Sequence, residues 1–309
     1  MVMRIILILC IGLSSCSTKN VHYKPDEIIV KLDKDVQREI KARPNESLKE
    51  MDKKYSVTNT SAKSGDQELY YGDYYALVIG VNNYSYLSSL KTAINDSRTV
   101  AYTLKNDYGF KVKLLLDPNR EEIISALHEY RKQLTLKDNL VIYYAGHGWL
   151  DREADEGYWL PADAKKENEA NWISNATITS NLRAMEAKHI MVISDSCYSG
   201  KLTRSIKIVE QSPNYLNRLS EKRTRVVLSS GGVEPVIDSS LSDKHSIFAY
   251  AFIKALKENN KIITGTDLYT KIRSTVILNS DQTPEYADIH KAGHDGGDFI
   301  FQRKAKKLE

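Results

Sequence analysis

Between residues 74 and 258 the chain repeats one pattern, a short run of consecutive apolar residues followed by a longer amphipathic stretch. Tyr74 to Val81 is apolar throughout apart from Gly80 and closes on Asn82, which suits a strand buried on both faces. Residues 90–106 then carry helical spacing, with Leu90, Ile94, Ser97, Ala101 and Leu104 on one face. Phe110 to Leu116 reads as a strand closed by Asp117-Pro118-Asn119, and Arg120 to Leu134 as a helix through Ile123, Ile124, Leu127 and Tyr130. Leu140 to Ala145 is a further strand, followed by a helix over Thr179–Ala187 and strands at Ile190–Ser194 and Val226–Ser230. A helix from Ser246 to Glu258 completes the series. Strand–helix–strand order of this kind predicts an α/β fold with a mostly parallel sheet covered on both faces. Functional groups in such sheets collect beyond the carboxyl ends of the strands.

Two reactive side chains stand at such ends. Gly146-His147-Gly148 follows the Leu140–Ala145 strand, and Asp195-Ser196-Cys197-Tyr198-Ser199-Gly200 follows Ile190–Ser194. A cysteine nucleophile needs an electropositive or basic neighbour to hold it as thiolate, and histidine is the usual partner. Glycines on either side of His147 let a substrate approach, and small polar neighbours make Cys197 unlike a core cysteine. His147 and Cys197 are therefore the candidate catalytic pair.

The remaining cysteines, Cys10 and Cys16, lie in the first sixteen residues. Three cysteines without a C-x-x-C pair form neither a disulfide framework nor a thiolate zinc site. Arg4, the apolar run Ile5–Leu13 and Ser14-Ser15 read as a secretory signal over residues 1–15, too short to span a bilayer. Leu13-Ser14-Ser15-Cys16 resembles the lipobox of bacterial lipoproteins. That resemblance implies cleavage before Cys16, its lipidation, and export to a bacterial cell envelope with a membrane as partner. Residues 16–70 read as a polar tether or pro-segment, and residues 71–303 as the folded domain.

Several ordered blocks share one register with a known family. They are Ala76-Leu77-Val78-Ile79-Gly80, Leu90 to Asp96, Tyr143 to Gly148, Tyr158 to Asp163 and Asp195 to Gly200, with Ile247 to Ala251, Gln282-Thr283-Pro284 and Gly297-Asp298-Phe299. From about Tyr74 to Phe301 the chain resembles the caspase-like cysteine peptidases, and among them the bacterial metacaspase-type members. His147 precedes Cys197 by 50 residues, near the spacing of caspases. The caspase Gln-Ala-Cys signature is absent, and Asp195-Ser196-Cys197 stands in its place.

The resemblance implies a three-layer caspase-like sandwich and a cysteine endopeptidase. Cys197 would attack the scissile carbonyl, His147 would carry the proton, and the N–H groups of Gly148 and Cys197 would form the oxyanion hole. A third group orienting the imidazole is not identifiable from the sequence; a backbone carbonyl could serve. Metacaspases resemble one another in reading Arg or Lys through acidic residues, and the matching positions here are Asp96 and Asp195. The resemblance also implies that the basic segment Lys201–Arg225 could be cut by the enzyme itself.

No cofactor is required for this chemistry. Some metacaspases are activated by Ca²⁺, and Asp151, Glu153, Asp155 and Glu156 form an acidic group after the histidine, although a solvated loop is the simpler reading. His290 and His294 have metal-like i, i+4 spacing, but Gly293 argues against a helix there. A formal net charge of +4 drawn from 44 basic and 40 acidic residues gives no basic stripe for nucleic acid. Two rival functions remain at this level, a catalytically silent caspase-like binding module and a different thiol amidohydrolase on a similar sheet.

Overall fold

The computed structural model describes residues 71–196, 213–231 and 244–304. The signal segment, the tether, Cys16 and Cys197 lie outside the described residues.

The central sheet has six strands. In chain order these are β1 (Asp73–Gly80), β2 (Lys111–Leu116), β3 (Asp138–Ala145), β7 (His189–Asp195), β8 (Thr224–Ser229) and β10 (Glu285–Asp288). Their spatial order is β10-β8-β7-β3-β1-β2, parallel throughout except for β10, which runs antiparallel to β8. The uninterrupted apolar runs are explained by burial on both faces. Ala76 and Val78 of β1 join one core and Leu77 and Ile79 the other.

The first core is covered by α1 (Ala93–Tyr108), α5 (Ile247–Glu258) and α6 (Gly265–Asn279), and the second by α2 (Arg120–Gln133) and α3 (Asn175–Ala184). The result is the three-layer α/β sandwich with a mostly parallel sheet that the sequence predicts. A short helix, α4 (Pro213–Glu221), precedes β8.

Beyond Glu258 the structure adds elements that the alternation does not announce. Helix α6 follows a capping box in which Thr264 and Asp267 satisfy each other's backbone N–H, and it buries Leu268, Ile272 and Val276. Strands β9 (Ile262–Thr264) and β11 (Ile300–Gln302) pair antiparallel. A small second sheet is formed by β4 (Gly148–Asp151), β5 (Glu156–Trp159) and β6 (Ile173–Ser174). Trp159 of this sheet stacks on Tyr144 of β3 at 4.4 Å, which fastens it beside the end of β3.

Boundaries shift for local reasons. Helix α1 starts at Ala93 rather than residue 90, because Asn82 accepts the Ile94 N–H at 3.1 Å and donates to Lys91 O at 3.1 Å, holding the preceding turn open. Gly109, at φ 79°, ends the helix in the left-handed region. Helix α3 begins four residues before Thr179, because Ser174 caps it by accepting the Thr177 N–H at 3.1 Å.

The basic segment Lys201–Arg225 is not one surface loop. Its later part forms α4 and the start of β8, where Arg225 is fully buried and donates to the carbonyls of Met185 and Ala187 at 3.0 and 2.8 Å. Arg223 likewise donates to Met185 O at 2.7 Å. Arg225 is closed to a protease in the folded chain and Arg223 is half-buried, whereas Arg204 and Lys207 lie outside the described residues.

Candidate active site

Strands β3 and β7 are neighbours in the sheet and end side by side. Ala145 and Asp195 are direct partners in the parallel ladder, so His147 and Cys197 each follow two residues beyond a paired position. The Gly146 N–H reaches Asp195 O at 3.5 Å just past this pair.

His147 is fixed from several directions. Its N–H donates to Tyr84 Oη at 2.7 Å, and the rings of the two residues lie 4.7 Å apart. Its carbonyl accepts from Tyr144 Oη at 2.7 Å and from the Leu160 N–H at 3.0 Å. Gly146 is required by this crowding, since a Cβ there would lie 2.7 Å from Tyr144 Oη and 2.9 Å from Tyr84 Oη.

The imidazole Nε2 lies 2.8 Å from the Ser88 carbonyl oxygen. A carbonyl can only accept, so Nε2 carries the proton and Nδ1 is left with a lone pair. Ser88 is the orienting group that the sequence could not name. Its residue type carries no signal, because the main chain does the work. The turn that supplies it is braced by Asp117, whose Oδ1 accepts the N–H groups of Asn82 and Asn83 at 2.8 and 2.9 Å.

Beside His147 a small cleft is lined by Ala93, Asp96, Gly146, Asp195 and Ser246, among others. Asp96 and Asp195, distant in sequence, are thus brought into one site. Asp195 Oδ2 accepts the Ser246 hydroxyl at 2.5 Å, while its Oδ1 is buried without a hydrogen-bond partner among the described residues. Burial, and then the charge of Asp96, push the Asp195 carboxyl up to about 7. Asp96 is also raised by burial, against hydrogen bonds from His245 and the Ser246 N–H that favour its charged form.

Ser246 is the second residue that sequence reasoning missed as a site residue. It is legible only as the N-cap of α5, where Oγ accepts the Ala249 N–H at 2.9 Å. The same oxygen donates to Asp195, so one side chain ties the helix start to the cleft.

Other sequence candidates divide differently. Gly148 opens β4 opposite Trp159. Asp151 sits at a hairpin turn and accepts the N–H groups of Glu153 and Ala154 at 2.8 and 3.0 Å, and Glu156 accepts the Ala176 N–H at 2.9 Å. One oxygen of each is thus engaged by backbone N–H groups. Among the described residues no group of three or more His, Cys, Asp or Glu side chains could hold a metal ion.

His290 and His294 do not share a helix face. Lys291 and Gly293 have positive φ, and His294 Nδ1 accepts the Arg225 N–H at 3.1 Å. Asp298 is part of the scaffold, accepting from Tyr286 Oη and, at 3.0 and 2.7 Å, from the N–H groups of Thr266 and Phe299.

A model described as the caspase domain matches residues 73–291, which is most of the chain. The chain belongs to the caspase-domain peptidase family. Metacaspase-1 of Botryotinia fuckeliana is 27% identical over 229 residues, covering 65% of this chain and 50% of the relative. Metacaspase-1 of Cryptococcus neoformans var. neoformans serotype D (strain JEC21) is 31% identical over 144 residues, covering 40% and 31%. The chain therefore spans half or less of the length of these relatives. Caspase-1 from Spodoptera frugiperda shares the fold, with a TM-score of 0.55 and 15% identity over 77% of this chain and 93% of that structure. Within this caspase domain, the match contains His147, Cys197, Asp96 and Asp195.

Proposed function

We propose that this caspase domain is a cysteine endopeptidase that hydrolyses polypeptides after Arg or Lys through a thioester acyl-enzyme. The observation that carries the reading is Asp195, a buried carboxylate with one oxygen unpartnered, two residues before Cys197 and in the cleft beside His147. A buried carboxylate oxygen without a partner is costly and becomes favourable when a cation fills the cleft.

Cys197 is the nucleophile. His147 Nδ1 takes the thiol proton and Nε2 stays hydrogen-bonded to Ser88 O, so the ring needs no reorientation between steps. The thiolate adds to the scissile carbonyl, and the N–H groups of Gly148 and Cys197 receive the developing oxyanion. The imidazolium then protonates the departing amine as the C–N bond breaks. Water, deprotonated by the same Nδ1, attacks the thioester and releases the acid and the free thiol. Asp195 receives the basic side chain on the acyl side of the cleaved bond, with the carboxylate of Asp96 lining the same cleft.

Cys16 bears a lipid that anchors the exported protein to the bacterial cell envelope, with residues 16–70 as a tether. The resemblance of Leu13-Ser14-Ser15-Cys16 to a lipobox supports this part.

Covalent labelling tests the assignment. An acyloxymethyl ketone carrying Lys or Arg should modify Cys197 of the full chain, seen as a single adduct by peptide mass spectrometry, well ahead of an analogue carrying a neutral residue. Equal labelling by both would favour a thiol amidohydrolase of other specificity. No labelling by either would favour a silent binding module.

A further inference from the structure

The two carboxylates of the cleft are not equally free. Asp96 Oδ1 lies 2.6 Å from His245 Nδ1, and Asp96 Oδ2 accepts the Ser246 N–H at 3.2 Å. Both oxygens of Asp96 therefore have partners within the chain. Asp195 Oδ2 accepts the Ser246 hydroxyl and the nearby Ser230 hydroxyl also favours the charged form, but the buried Oδ1 has no hydrogen-bond partner among the described residues. The segment that carries His245 is also clasped by the start of α1, where Asn95 Nδ2 donates to Lys244 O at 2.6 Å. The His245 side chain is 18% exposed and that of Asp96 only 1%, so a ring that reaches solvent is held against a buried acid.

We propose that His245 is a specificity-determining residue: by occupying Asp96 it leaves Asp195 Oδ1 as the available carboxylate oxygen, so the enzyme accepts Lys and Arg on nearly equal terms. The inference rests on the reading of this cleft as the pocket for a basic side chain. An ammonium is a compact point charge that one carboxylate oxygen can satisfy. A guanidinium presents a planar fork and gains most from two acceptors side by side. With Asp96 engaged by His245, the second acceptor is withheld and the fork keeps donors unpaired in a desolvated place. Removing the imidazole frees Asp96 Oδ1 beside Asp195, and the pocket becomes one that favours Arg.

The test uses the full chain and paired peptides that differ only in Arg or Lys before the cleaved bond. Wild type, His245→Ala and His245→Gln are compared at one fixed pH, with Cys197→Ala as the blank. The wild-type ratio of kcat/KM for Arg over Lys should lie within about tenfold of unity. In His245→Ala it should rise by about tenfold, through a lower KM for the Arg peptide. In His245→Gln, whose amide can still donate to Asp96, it should return toward wild type.

A folded His245→Ala with the wild-type ratio, or a His245→Gln that shifts as much as His245→Ala, overturns the role given to His245. If His245→Ala does not fold, a wild-type preference for one base far above tenfold overturns it, and a near-equal ratio retained by His245→Gln supports it. A wild-type enzyme that cleaves after neither Lys nor Arg removes the pocket reading itself, and the inference with it.

Discussion

His147 turns its Nε2 toward the main-chain oxygen of Ser88, 2.8 Å away and 59 residues earlier in the chain. An orienting group made of backbone tolerates side-chain change but not displacement of the turn. Ser88→Ala should therefore leave kcat within about twofold, because its hydroxyl is at 3.5 Å and outside good hydrogen-bond range. Asn82→Ala removes the side-chain brace on that turn and should lower kcat by about tenfold, with about 1 kcal/mol lost from stability. Steady-state kinetics and urea unfolding of both variants check the contrast.

Gly146→Ala should be more damaging than a surface glycine change. The added methyl would meet Tyr144 Oη and Tyr84 Oη at 2.7 and 2.9 Å, the two hydroxyls that bracket the His147 backbone. A cost of about 1–3 kcal/mol is expected from overpacking, together with a fall of about tenfold or more in kcat. Thermal unfolding with parallel activity assays reads both effects.

Titration of Asp195 gives a pH dependence with a defined sign. Its carboxyl sits at about 7 in the folded protein, against an ordinary value of about 4 in the unfolded chain. Between these values the native state holds a proton that the unfolded chain has released. Stability from this group is thus greatest at low pH and is lost as pH rises from about 4 to about 7. Asp195→Asn should flatten the decline in Tm across that window. Under the proposed function, KM for an Arg peptide should also fall as pH rises through about 7, while KM for a neutral peptide should not follow.

Ser246→Ala removes the cap of α5 and the hydrogen bond to Asp195 together. A loss of about 1–2 kcal/mol is expected. The same variant should weaken discrimination between basic and neutral substrates, since Asp195 loses the group that orients it. Ser246→Thr, which keeps the hydroxyl, should retain both roles, whereas Ser246→Gly, a tolerated N-cap without a donor for Asp195, separates them.

The sheet was legible because its strands are buried on both faces, so each appears as an unbroken apolar run such as Tyr74–Val81 or Leu140–Ala145. His147 was legible for a related reason, since a parallel strand must deliver its functional residues just past its end. Strands β4, β5 and β6 were not legible, being two to four residues long and held by Trp159 on Tyr144 rather than by alternation. Ser88 was hidden because its contribution is a carbonyl oxygen. The environment of Asp96 was hidden because His245 reaches it from 149 positions away, and no local pattern records such a contact. In the acidic group after His147, Asp151 and Glu156 accept backbone N–H groups, a local use of carboxylates that the residue types alone do not reveal.

The most direct measurement is kcat/KM on the full chain for peptides identical except for Arg, Lys, Asp or Leu before the cleaved bond, with Cys197→Ala and His147→Ala alongside. The proposed function predicts that the Arg and Lys peptides are cleaved about a hundredfold faster than the others, because a buried carboxylate rejects side chains that leave it unpaired. Both variants should lose about a thousandfold or more while remaining folded. Faster hydrolysis after Asp than after Arg or Lys, or cleavage that survives Cys197→Ala, would contradict it.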